Sequence, residues 1–560
     1  MCATIQRNQT TRQQGLKIAE FHTRDGLGWH AAGGVYARGR AFKGDRLLNT
    51  QQLGEHLRDA ALAGRFSDAA AELNGFFSAI VEHDGAVYAT VDHARSMPLF
   101  YADHGACIYL SDDAAWIAEQ LGGLELDPAC EQEYALAGYV TGPDTLDRRI
   151  KQLQAGEALA ARPGGIETTR WFRYVRDKET EYPEQELTPR LDAALAGAFD
   201  RLVAVAGGRT IAVPLSGGYD SRSIVLMLKE RGYENIQAFS YGRPGNSEAE
   251  ASRRLAQEFG LSWEFVPYSE ELWLTWFNSK ARLAYYALAD NLSSLPVMQD
   301  WPAVWELKRR GVLPADALLV PGYSADAFPA SRRRPPSSPV YLNNAPRQDV
   351  VLDAIYSYTY FLWDWSKRRR ELTPLIDARI VAALGDLDAF CDSAAAIEAW
   401  GIQERQAKFI TNAVRCYEHW GYDWWLPLWD RQFVGFWMHV APAQRAERRF
   451  ARTHIAKMQA RITGGQYIPP PDPRRRTALQ RVAAWLRSVG ERIPPVAALY
   501  NQVRARAQYA THPLAWHGMI PRALFLKLYR GRVHINSFLA LERLGRISLD
   551  PAGQNERERR

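Results

Sequence analysis

Between residues 187 and 266 the chain alternates amphipathic stretches with short apolar runs. Residues 187–202 repeat their apolar positions at helical spacing, and residues 211–215 then form a brief apolar run that reads as a buried strand. Ser216-Gly217-Gly218 follows with almost no side-chain bulk, which predicts a tight turn. From Arg222 a helical pattern sets Ile224, Val225 and Leu228 on one side and stops at Gly232. A second strand is expected over 236–240, a helix over 248–259 ended by Gly260, and a third strand over 263–266. Strand, helix, strand, helix, strand implies a parallel sheet with right-handed crossovers. Another apolar run at 317–321 predicts a further strand of that sheet, delivering Gly322 and Tyr323. The pattern over 350–420 is helical.

The first 175 residues read as mostly β. Runs at 76–81 and 86–91 flank His83-Asp84-Gly85, a hairpin signal, and runs at 98–101 and 106–110 flank Asp103-His104-Gly105. Helices are expected over 50–62 and 114–121. A polar linker is expected over 176–186. Prolines near 469–473 predict a stiff connection to a basic, helical C-terminal stretch. These breaks predict domains at 1–175 and 187–460 and an extension at 461–560, with no internal repeat.

Composition narrows the class. The 560 residues are 47% hydrophobic and 24% charged, with a formal charge of +6, which argues for a globular protein and against a nucleic-acid partner. Five cysteines without a C-x-x-C pair argue against a disulfide framework or zinc site, and so for a reducing cytoplasm. No apolar run reaches the ~18 residues of a membrane span, and the N-terminus lacks a secretory apolar segment.

The strand–glycine–helix junction carries the chemistry. Unpaired backbone N–H groups at such a turn converge on one point, and the helix dipole favours an anion there. Ser216 and Ser221 add hydroxyl donors, and Asp220 suits a Mg²⁺ that bridges phosphates. The phosphate loop G-x-x-x-x-G-K-[ST] is absent.

Ser216-Gly217-Gly218-Tyr219-Asp220-Ser221 resembles the S-G-G-x-D-S pyrophosphate loop of ATP pyrophosphatases. Upstream, segments beginning at Leu73, Asp92, Gly138 and Ile150 resemble, in order, the landmarks L-x-G-x-F-A-F, D-R-x-G-x-x-P-L-Y-Y, G-Y-x-P-G-P-x-T and I-x-x-L-x-P-G. Together these are similar to the asparagine synthetase B family over residues 1 to about 455. The resemblance implies an N-terminal α+β sandwich of the Ntn-hydrolase type, then a doubly wound α/β domain of the adenine nucleotide alpha hydrolase type with helical additions. It implies ATP and Mg²⁺ as cofactors, glutamine or ammonia as nitrogen donor, a small carboxylate as substrate, and a homodimer as an assembly. ATP and pyrophosphate would lie against Leu215, Ser216, Gly217, Gly218, Asp220, Ser221, Ser240, Gly242 and Gly322, with Mg²⁺ on Asp220 and Asp326. Loss of Met1 would expose Cys2 as the nucleophile on glutamine, with its own α-amino group as base.

The chain departs from the family in several places. Ala3 stands for a glycine, and the R-H-R-G-P and R-L-S-I segments are absent. The family's N-G-E survives only as Lys43-Gly44-Asp45, which leaves Arg38, Arg40 and Asp45 as candidates to hold glutamine. Tyr323 occupies a glutamate's place, as in β-lactam and carbapenam synthetases, where the tyrosine works with a distant glutamate; Asp364, Glu371 and Glu418 are the candidates for that partner here. The family's late lysine is replaced by Arg449 or Arg452. Segments at 295–300, 320–323 and 425–430 are closer to a branch associated with bacterial surface polysaccharides, which implies a uronic acid carboxylate rather than free aspartate. The expected function is thus an ATP-dependent amide-forming ligase. An intramolecular amide-closing cyclase and a non-catalytic nucleotide-binding scaffold are the alternatives.

Overall fold

The structure is a computed structural model that describes residues 18–105, 107–162, 165–176, 181–324, 345–363, 365, 368–445, 448–468, 494–529 and 534–549. Cys2, Asp326 and Asp364 lie outside the described residues.

The first domain stacks two sheets. The larger contains strands β2 (His30–Ala32), β3 (Val35–Lys43), β4 (Arg46–Leu48), β5 (Leu73–His83), β6 (Ala86–Val91), β10 (Glu157–Arg162) and β11 (Gly165–Arg170). The smaller contains β1 (Ile18–His22), β7 (Phe100–His104), β8 (Cys107–Ser111) and β9 (Lys151–Gln152). Ile80, Val91, Leu99, Ile108 and Leu159 fill the space between them. The other face of the larger sheet is covered by helices Thr50–Leu62 and Phe66–Glu72 through Leu53, Leu57 and Phe66. The expected β5–β6 hairpin forms: His83 pairs with Ala86 across Asp84 and Gly85, both at positive φ, which is why glycine follows aspartate there. Strands β3, β10 and β11 carry no clean alternation. β3 has Arg38-Gly39-Arg40 at its centre and β10 is alanine-rich, so pattern alone passes over them.

The second domain is a parallel five-stranded sheet: β12 (Ile211–Pro214), β13 (Ile236–Gly242), β14 (Ser262–Pro267), β15 (Leu318–Leu319) and β16 (Asp423–Trp424), in spatial order β14-β13-β12-β15-β16. The chain winds outward from β12 through β13 and β14, then returns to the other side of β12. With right-handed crossovers this puts helices on both faces and opens a crevice between the carboxyl ends of β12 and β15. β16, only two residues long, was not expected. Most of the described residues over 350–420 are helical, as expected, and they include a π-helix, Gly401–Ile410. The helix expected from Arg222 begins earlier, at Tyr219 with Gly218 as N-cap, so Asp220 and Ser221 occupy its first turn.

Residues 494–529 and 534–549 are built into the same body. Phe525, Ile535, Phe538 and Leu539 belong to one hydrophobic core with Leu226, Trp273 and Trp437. Gly518 lies so close to helix Glu270–Phe277 that a Cβ would sit 2.4 Å from the Glu270 carbonyl oxygen. Arg543 pairs with Asp290 at 2.7 Å. No described helix is long and apolar enough to cross a membrane.

Candidate functional site

Leu215, buried, donates its N–H to Phe239 and so ties the end of β12 to β13. Beyond it the chain turns sharply. Ser221 Oγ accepts from Ser216 N at 3.0 Å and lies 3.1 Å from Ser216 Oγ, which in turn accepts from Gly218 N at 3.1 Å. The loop is thereby folded on its own hydroxyls at the N-terminus of helix Tyr219–Glu230. Gly217 N–H donates to Glu248 Oε2 at 3.1 Å, so a carboxylate already rests on one amide of the turn. A Cβ on Gly217 would meet Ala251 Cβ at 2.8 Å, which is why the loop needs glycine there.

Arginines surround this turn. Arg448 Nη2 lies 2.5 Å from Asp220 Oδ1. Arg222 donates to the Gly217 carbonyl at 3.0 Å and stacks on Tyr219, with Arg452 on the same ring. Among the described residues, the buried Nε atoms of Arg222, Arg448 and Arg452 find no hydrogen-bond acceptor. Burial pulls the Arg222 guanidinium below its ordinary range. Buried donors of fixed positive charge without acceptors are costly, and a polyphosphate is chemically matched to them. Arg448, not Arg449, is the residue on Asp220. It sits at φ 61 just before helix Arg449–Thr463, a conformation that aims its side chain off the helix and that the sequence pattern gives no sign of.

Gly322 follows β15 and packs onto the loop: a Cβ would lie 3.0 Å from Ser221 N and 3.1 Å from the Asp220 carbonyl carbon. The next residue, Tyr323, donates its hydroxyl to Asp300 Oδ2 at 2.6 Å. Of the three acids considered from sequence, the two described ones do not meet Tyr323. Glu418 is held by Arg38 and Arg415, Glu371 pairs with Arg368 at the surface, and Asp364 is outside the described residues. Tyr417 also donates to Asp300 Oδ2 at 2.6 Å and Tyr241 donates to Oδ1. Asp300 is buried at the N-terminus of helix Trp301–Arg309. Burial, and then the Asp300 charge, push the hydroxyls of Tyr241, Tyr323 and Tyr417 well above the usual phenol range, so all three stay protonated donors. Asp300 falls in the 295–300 segment singled out above, but nothing in a single sequence ties it to Tyr323.

Ser240 and Gly242 lie on β13, farther along the same sheet edge. Ser240 is buried, and Gly242, at φ 125, faces the C-terminal segment: a Cβ there would be 2.7 Å from the Pro513 carbonyl oxygen, which accepts from Arg243 N at 2.6 Å. Residues 512–514 therefore close this edge of the crevice, a role the sequence did not suggest.

A second cavity of about 420 Å³ lies where the two domains meet. It contains Arg38 and Arg40 from β3 and Arg209, Glu418 and Asp423 from the second domain; Asp45, on the exposed β3–β4 turn, is not part of it. Arg38 is 3% exposed and pairs with Glu418 at 2.5 Å, while Arg40 and Arg209 share Asp423. Nearby, Asp92 organises the following loop by accepting from the N–H groups of Phe77, Ala94 and Ser96 and from the Ser96 hydroxyl.

The fold and site thus define a doubly wound α/β domain with a serine-folded glycine turn at its topological switch point. Residues 190–277, which hold that turn, match the family model described as Asparagine synthase. Over 198 residues the chain is 25% identical to "Asparagine synthetase [glutamine-hydrolyzing] 1" of Bacillus subtilis (strain 168), a match that covers 35% of this chain and 31% of that relative. The chain therefore spans about a third of the length of the curated relative it matches. Among solved structures, the glutamine phosphoribosylpyrophosphate amidotransferase of B. subtilis is 12% identical, covering 46% of this chain and 72% of that one at a TM-score of 0.18. The NH3-dependent NAD synthetase of Campylobacter jejuni is 13% identical, covering 36% and 89% at a TM-score of 0.18. Likenesses at this TM-score bear no weight on function.

Proposed function

We propose that this protein is an ATP-dependent amide-forming ligase. A carboxylate and ATP meet at Ser216–Ser221, the carboxylate is activated as its adenylate, pyrophosphate leaves, and ammonia or an amine takes the acyl group. The observation that carries the reading is the cradle itself: a serine-folded glycine turn at the switch point, ringed by three guanidiniums whose buried Nε atoms find no acceptor among the described residues. The match of residues 190–277 to the Asparagine synthase model supports it. Mg²⁺ fits the same place, because Asp220 offers a carboxylate oxygen that now rests on Arg448; bound there, the ion would neutralise phosphate charge. Arg448 then has the phosphates as its alternative partner. Asp326 is proposed as the second carboxylate, and Cys2 as the nucleophile that releases ammonia from glutamine.

The test is ATP–pyrophosphate exchange with a panel of carboxylates that includes aspartate and uronic acids. Exchange driven by one of them, with AMP as product, is the expected result. ADP and orthophosphate as primary products would reject the reading. Exchange without glutamine-dependent turnover would confine the activity to the second domain.

A further inference from the structure

We propose that Arg243 and residues 512–514 of the C-terminal segment position ATP. Docked on Gly242 and Arg243, the segment fixes the end of β13, and nucleotide binding and docking strengthen each other. The proposal rests on the ligase reading above for its ligand.

Strand β13 outruns its neighbour. Pro214 of β12 pairs opposite Phe239, whereas Ser240, Tyr241 and Gly242 pair with β14 alone, at Phe265, Val266 and Pro267. The β12 side of these three residues therefore borders the crevice. A nucleotide held by its phosphates at Ser216–Ser221 is confined on the β15 side, where a Cβ on Gly322 would already lie 3.0 Å from Ser221 N. The other wall along the carboxyl edge is the free end of β13.

A strand end paired on one side moves easily, and the C-terminal segment pins this one. Three successive carbonyls accept from the second domain. His512 O takes Arg243 Nε at 3.0 Å, Pro513 O takes Arg243 N at 2.6 Å, and Leu514 O takes Trp273 Nε1 at 2.6 Å. Arg243 is thus bonded through backbone and side chain together, and its guanidinium also pairs with Glu270. Trp273 is fully buried, so Leu514 satisfies a donor that would be costly to leave bare. The segment is a shaped piece: Ala515 is buried at φ 52, and its N–H closes a turn onto His512 O at 2.9 Å. Gly518 anchors it against Glu270, where no side chain would fit.

Arg243 directly follows Gly242, so a shift of the β13 end breaks the dock, and loss of the dock frees the β13 end. Such coupling is reciprocal: the factor by which the docked segment tightens ATP is the factor by which ATP favours docking. A merely structural contact would hold the chain together without responding to nucleotide.

Hydrogen exchange of the full chain, with and without ATP and Mg²⁺, tests this and needs neither carboxylate nor nitrogen donor. ATP should slow exchange at 214–222, and should slow it about fivefold at Arg243 and over 514–518. In calorimetric titrations Trp273→Phe, which keeps an aromatic ring and removes the donor to Leu514, should weaken ATP binding about fivefold. Arg243→Met, at a half-buried position, should weaken it about tenfold, and it decides the matter if Trp273→Phe does not fold. Protection at 214–222 with none at Arg243 and 514–518 would overturn this proposal and leave the ligase reading standing. Protection at neither place would overturn both. Unchanged or tighter ATP binding in Arg243→Met would also overturn the proposal.

Discussion

Two arginine-rich regions of this molecule use the same side chain in opposite ways. At the domain junction Arg38, Arg40 and Arg209 all point at carboxylates supplied by Glu418 and Asp423, and their charge is neutralised within the protein. At the Ser216–Ser221 turn Arg222, Arg448 and Arg452 crowd a loop where, among the described residues, Asp220 is the one carboxylate paired with them, and their buried Nε donors have no acceptor. A bare Nε does not by itself mark a site, since Arg415, ion-paired with Glu418 at the junction, has one too. What differs is the carboxylate supply: the junction arginines each meet one, while at the turn only Arg448 does among the described residues, which leaves Arg222 and Arg452 suited to an anion from outside.

Four measurements break or sharpen that contrast. The largest effect is expected at the cradle: Asp220→Asn should lower pyrophosphate exchange by about 10³-fold, roughly 4 kcal/mol, through loss of metal charge, with the melting temperature unchanged. Near-native exchange would remove Asp220 from the metal site. At the junction the loss should appear in stability. Arg38→Met strands part of the Glu418 charge in a buried place and should cost about 3 kcal/mol in denaturant unfolding, while exchange per folded molecule stays the same. A fall in exchange with unchanged stability would reverse the assignment of the two regions.

Acid should loosen the joints before the cradle. His93, bonded to the Trp429 carbonyl, is pulled down to about 4 by burial and by Arg431. His517, packed within the C-terminal segment against Tyr509 and Phe525, is pulled down to about 3 by burial and by His512. Both rings are neutral in the folded state and protonate more readily when unfolded. Their contribution is therefore complete above the unfolded value near 6.5 and is lost as pH falls below it, by about 2 kcal/mol per ring at pH 5. Melting followed from pH 7 to pH 5 should show the decline, and His517→Gln should flatten it; a parallel slope in that variant would count against the ring. The smallest effect is Arg448→Met, which removes one charged contact and should slow exchange roughly 10-fold, about 1.5 kcal/mol. An increase would mean that Arg448 restrains Asp220 instead of serving the phosphates.

The doubly wound core was legible because each of its first three strands is a short, mainly apolar run followed by a turn and an amphipathic helix, so a local pattern suffices. The Ser216-Gly217-Gly218 turn was legible for the same reason: its chemistry lies in adjacent residues. Strand β15 was legible from the apolar run at 317–321, whereas β16 is two residues long, too short for any periodicity, and is fixed by pairing with a strand about a hundred positions earlier.

The sequence by itself determined the glycine turn, the succession of β12, β13, β14 and β15 along the chain and the loop that carries Asp220, because these follow from backbone freedom and apolar spacing within a few residues. Only the tertiary structure decided which charges meet. Arg448 reaches Asp220 from 228 positions away, Tyr323 finds Asp300 instead of a glutamate, Tyr417 joins it from another helix, and Pro513 closes the edge at Gly242. Electrostatic partnership depends on distance in space, and the folding of the whole chain sets that distance.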